Sequence, residues 1–205
     1  MTLTTWLTVV TICILGAMSP GPSLAVVLRQ TVSGGRRNGV VAALAHGFGV
    51  GLYALLSIAG LAAVIAASPP AFTMLQVGGA VFLAWLGIKG LLARRRPDQP
   101  ELAQAPTTAG AARDGFLVVF FNPKIAVFFL ALFSQVVGLD TTMAAKLGYA
   151  VTAMVIDAGW YLSVAWLLSI PFFMDRLTSR AVWLERLFGA VLLGLVGRMV
   201  LAMLD

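Results

Sequence analysis

Asp157, Lys124 and His46 are ionisable side chains that fall inside long apolar stretches of the chain. An ionisable group at hydrocarbon depth costs a few kcal/mol on insertion scales, so each is a functional candidate by default. Asp157 has no basic residue within a turn on either side. As a carboxylate it could attract a substrate ammonium group, or carry a proton during coupled transport. Lys124 directly follows Asn122-Pro123 and could pair with Asp157 in an empty site or meet a substrate carboxylate. It could equally snorkel along its own stem to the interface, because Gly115 lies close by in sequence. His46, the one histidine, is a further candidate for proton coupling, with packing or hydrogen bonding as its plainer reading.

The elements that must position these groups are helices with breaks in them. Ser19-Pro20-Gly21-Pro22 interrupts an apolar run from Leu3 to Leu28, and Asn122-Pro123-Lys124 interrupts another between Phe116 and Val137. A proline removes a backbone donor and clashes with the carbonyl four residues earlier, which frees Gly16, Met18 and Val119 from their usual partners. Loose backbone at membrane depth is tolerated only against protein or a watery cavity. The two breaks are therefore expected to face each other and form a substrate site of Pro20, Gly21, Pro22, Asn122, Pro123, Lys124 and Asp157. At 100° per residue, Ala150, Ala153, Asp157, Tyr161 and Val164 share one narrow face that should point inward. His46 shares a face with Gly39, Ala43 and Gly47, and with Gly51 these make a small-residue stripe on which another helix can pack closely.

Composition places these helices in a bilayer. The 205 residues are 60% hydrophobic and 11% charged, with a mean hydropathy of +0.96, too little polarity to cover a soluble surface. Six segments are long enough to span: Leu3 to Thr31, Gly39 to Ala67, Phe72 to Leu92, Gly115 to Val137, Ala145 to Ile170 and Val182 to Leu204. The expected fold is an all-α membrane protein, one transmembrane domain over 1–205. A polar linker at 94–114 divides it into halves at 1–93 and 115–205, each with three helices and a proline-broken first helix. An odd number of spans per half makes the halves candidates for an inverted repeat. The first segment lacks a charged leader and a small-residue cleavage site and is expected to stay in the protein.

Of the cations, eleven fall in or beside the odd-numbered loops and two, Lys146 and Arg198, on the opposite side. The positive-inside rule then puts the odd loops in the cytoplasm and both termini outside. The net charge of +6 is thus a topology signal rather than a nucleic-acid patch. A single cysteine, Cys13, excludes an internal disulfide and a redox conduit that needs a thiol pair. No Walker loop is present for ATP, no cluster has metal-ligand spacing, and Ser19, Ser23 and Ser57 lack a histidine in helical register. These absences lead us to expect no cofactor, no metal and no enzymatic activity.

The run Met18-Ser19-Pro20-Gly21-Pro22, followed by an apolar helix and Gly35-Arg36-Arg37-Asn38-Gly39, resembles the opening signature of the LysE/RhtB family of amino-acid exporters. Residues Gly79-Ala80-Val81-Phe82-Leu83-Ala84-Trp85-Leu86-Gly87 resemble that family's third helix, and Phe121-Asn122-Pro123-Lys124 its fourth-helix motif. The resemblance covers essentially the whole chain. It implies a bacterial inner-membrane transporter that exports amino acids or close derivatives, driven by the proton motive force; the two breaks and Asp157 lead us to expect alternating access, with the halves rocking around the site. His46 and Gly47 stand where many members have plain small or apolar residues. The alternatives are an exporter of a toxic ion or drug, and a non-transporting scaffold. The expected partners are a small-molecule substrate and the lipid bilayer, with no nucleic acid; the glycine stripes could pack within the bundle or against a second copy of the chain.

Overall fold

A computed structural model describes residues 2–93, 107–138, 140–167, 182–183, 186–194 and 196–197. Its named helices are α1 (Leu3–Met18), α2 (Pro22–Ala67), α3 (Pro69–Leu91), α4 (Thr108–Phe121), α5 (Pro123–Val136) and α6 (Met143–Leu167). Residues 186–194 are also helical, and there is no strand among the described residues. Arg94 to Arg96, Arg176, Arg180, Arg198, most of the proposed linker and the end of the sixth span lie outside the described residues.

The helix boundaries have local chemical causes. Thr2, Ser68 and Thr107 each accept a hydrogen bond from a backbone N–H three residues on, at Thr5, Ala71 and Gly110. Such caps satisfy donors that the first turn of a helix leaves open. Prolines open α2, α3 and α5, where a missing N–H does no harm. The freed carbonyl of Gly16 is taken by the N–H of Ser19 at 3.3 Å.

Within α2 the helical path is interrupted at Gly35, at φ 75° and ψ 175°, a conformation open mainly to glycine. A Cβ on Gly39 would press against the Thr31 side chain. Eight residues of unbroken helix would hold those positions about 12 Å apart, so the chain doubles back at Gly35. The span expected from Leu3 to Thr31 is accordingly divided between α1 and the first part of α2, with the reversal just beyond it.

Among the described residues, Pro22–Val64, which includes the reversal at Gly35, and Met143–Leu167 are long and apolar enough to cross a membrane, and α4 with α5 forms a further pair bent by 57°. Leu3–Met18 and Val77–Leu91 are shorter apolar helices. Large apolar side chains such as Phe48, Leu56, Val81 and Val155 are exposed, as a lipid-facing surface requires.

Small residues set how the helices meet. Beyond Gly35, α2 runs antiparallel to α6: Gly39 packs near Ala165, Gly47 near Ala158 and Gly51 near Met154. The stripe expected from the sequence is thus the contact face. Gly87 of α3 packs against Gly189 and Leu193, while Arg186 Nη2 donates to the Ala93 carbonyl at 3.4 Å, again an antiparallel order. A third antiparallel series joins Gly16 to Phe128, Ser19 to Lys124 and Arg29 to Asp114. By contrast α2 and α4 are parallel, with Ala42 against Gly115 and Tyr53 against Phe120.

Candidate functional site

The two breaks come together. α1 ends at Met18 and α2 begins at Pro22, leaving Ser19 to Gly21 outside the helices, with Gly21 fully extended. Asn122 alone separates α4 from α5. Its Oδ1 accepts from the Lys124 backbone N–H at 3.0 Å, capping α5, while its Nδ2 donates to Ser23 Oγ at 3.3 Å. The Lys124 ammonium donates to Ser19 Oγ at 2.6 Å and to the Pro20 carbonyl at 3.5 Å. It also lies 5.4 Å from the centre of the Phe188 ring, within cation–π range.

Asp157 is buried on the inner face of α6 with Ala150, Ala153, Tyr161 and Val164, the set expected from helical periodicity. Its partner is His46, whose Nδ1 lies 2.6 Å from Asp157 Oδ2. Where the sequence offered Lys124 as a partner for Asp157, the fold places Lys124 on Ser19 and His46 on Asp157. The reason is packing: the glycines beside His46 bring α2 and α6 into close contact at this level. The His46 ring stands edge-on to Tyr161 at 4.8 Å, and its Nε2 is buried with no hydrogen-bond partner among the described residues. A buried polar atom without a partner is expensive, so Nε2 is suited to a water or a ligand.

These groups line one cavity of about 50 Å³, where roughly 10–15 Å³ holds a single water. Gly21, Asn122, Lys124, Asp157 and His46 are on its wall. Pro20 contributes its carbonyl through Lys124. Pro22 is exposed and serves as the first residue of a helix. Pro123 opens α5, and its side chain lies outside the described ones. Sequence reasoning weighed the Ser19 and Ser23 side chains only as nucleophiles and Cys13 only for thiol chemistry, yet all three residues line the cavity. It also missed Gly16, Phe128, Phe129 and Phe188. Two signals were available for them: Phe128 lies one helical turn beyond Lys124, and Gly16 one turn before the first proline.

Chemically, the cavity offers one ammonium, one carboxylate held by an imidazole, and hydroxyl and amide groups freed by the breaks. A zwitterion could satisfy both charges. Arg29 is engaged elsewhere, at the end of the bundle, where its Nη2 meets Asp114 Oδ2 at 2.8 Å and Gln30 Nε2 donates to the same oxygen at 2.9 Å.

Residues 14–203 match the family described as LysE type translocator. The chain belongs to that family. It is 28% identical over 193 residues to a threonine efflux protein of Escherichia coli K12, covering 92% of this chain and 94% of the relative. It is 30% identical over 158 residues to a homoserine/homoserine lactone efflux protein of Salmonella typhimurium, 77% of each chain. A leucine efflux protein of Klebsiella pneumoniae is 27% identical, with 86% of this chain and 83% of the relative covered. No solved structure matches this LysE-type chain.

Proposed function

We propose that this LysE-type protein is a secondary transporter of the bacterial inner membrane that exports amino acids or close derivatives by alternating access. The observation that carries the reading is the single cavity walled by both helix breaks, Lys124 and the His46–Asp157 pair. Its opposite charges suit the carboxylate and ammonium of a zwitterion better than the single charge of a toxic ion or drug. The relatives named for threonine, homoserine and leucine efflux support the same class. A scaffold would have no use for a buried carboxylate–imidazole pair beside a cavity.

In this reading the chain has six spans in two inverted halves, 1–93 and 115–205, joined by the linker at 94–114. The three antiparallel helix pairings support it, because inverting one half reverses every helix relative to its counterpart. The reversal at Gly35 beside Arg36 and Arg37 makes a short cationic turn on the cytoplasmic side, with both termini outside. The halves rock about the cavity, Lys124 and Asn122 hold the substrate carboxylate, and the His46–Asp157 pair exchanges the ammonium for a proton, which couples export to the proton motive force.

The test is efflux of preloaded amino acids from vesicles carrying the Asp157→Asn protein. Loss of proton-dependent efflux with normal protein levels is expected. Wild-type, proton-dependent efflux would remove Asp157 from the coupling role.

A further inference from the structure

We infer that the cavity selects amino acids with an uncharged, predominantly apolar side chain, and that Gly16 and Phe128 limit the size of that side chain. The inference rests on the export reading above. Lys124 and Asp157 are the charged groups among the described lining residues, and the two ends of any amino acid use both. A charged side chain would enter with no counter-ion, and an unpaired buried charge is strongly disfavoured. His46 Nε2 adds one polar contact beside the charged pair, enough for a hydroxyl or an amine hydrogen but not for a second full charge.

The rest of the wall is predominantly apolar, and its three phenylalanine rings start at the ammonium itself. From Lys124 the Phe188 ring leads to Phe128 at 6.2 Å and on to Phe129 at 5.5 Å, centre to centre. A substrate whose carboxylate meets Lys124 therefore has its side chain directed along apolar rings, where each buried methylene adds favourable transfer energy. Phe128 is held from behind by Gly16: a Cβ there would lie 3.0 Å from Phe128 Cζ. A methyl group at position 16 must push the ring, and the direction open to it is the cavity that Gly16 and Phe128 both line. The pair thus acts on size and not on charge.

The experiment uses the purified full-length protein in liposomes preloaded with labelled valine, leucine, phenylalanine, lysine or glutamate. Wild-type protein is expected to release leucine and valine about tenfold or more faster than lysine or glutamate. Gly16→Ala should lower the leucine-to-valine ratio, and Phe128→Leu should raise the phenylalanine-to-valine ratio. Ratios taken within one variant do not depend on how much of it folds. Comparable rates for lysine or glutamate would overturn the charge selection, and ratios unchanged in both variants would overturn the size limit. Failure of the wild-type protein to release any of the five would instead overturn the export reading on which the inference rests.

Discussion

The first break spans Ser19 to Gly21, carries prolines on both sides of a glycine and has no side-chain cap at the start of α2. The second is a single residue, Asn122, whose own side chain caps α5. The contrast extends to polarity. Ser19 Oγ, the Pro20 carbonyl and Ser23 Oγ accept, while Lys124 Nζ and Asn122 Nδ2 donate. The breaks are therefore complementary in hydrogen bonding rather than two copies of the same device. In the export reading the donor-rich second break takes the substrate carboxylate in place of its contacts with the first break, while Asp157 takes the ammonium.

The comparison can be broken most directly at its donor side. Lys124→Met removes the ammonium together with both of its ties to the first break. Hydrogen bonds to charged groups contribute on the order of 2 kcal/mol, so vesicle efflux should fall by roughly thirtyfold or more. Near-normal efflux would mean that the donor break does not hold the substrate. The next largest effect is expected from Asn122→Ala, which deletes the cap on α5 and the bond to Ser23. A loss of about 1–2 kcal/mol should appear as a lower thermal unfolding midpoint and a several-fold slower efflux. Asn122→Asp keeps the capping oxygen but exchanges the donor for a charged acceptor at the start of α5, so it should recover part of the stability and little of the efflux. The smallest effect is expected at Pro22→Ala. Its ring is exposed and its place at the first turn of α2 accepts alanine, so stability should shift by no more than about 0.5 kcal/mol and efflux by less than about twofold. A loss as large as that of Lys124→Met would show that the proline ring itself shapes the site.

Much of the architecture is local and for that reason legible in the chain. Prolines at 20, 22 and 123 place the helix ends within a residue or two, because ring geometry and a missing donor act wherever the residue stands. The period of 3.6 residues identified the inner face of α6 around Asp157 and the small-residue face around His46, since both follow from neighbours on one helix. The tight reversal at Gly35 was legible only as a cationic loop, because a single positive φ leaves no signature beyond a glycine.

What the tertiary structure decided is which of these faces meet. His46 and Asp157 are 111 residues apart and could each have been satisfied by several groups. The close approach of α2 and α6 on Gly47 and Gly51 selects that pairing and leaves Lys124 to the first break. The aromatic wall of Phe128, Phe129 and Phe188 likewise exists only where α5 and the last described helix converge; the spacing from Lys124 marks Phe128, but nothing local separates Phe129 and Phe188 from phenylalanines that face lipid. The sequence by itself determined where the helices break and which sides turn inward. Only the fold determined that the freed groups, the buried pair and the rings share one cavity, because partners distant in sequence are chosen by helix packing and not by the chain around them.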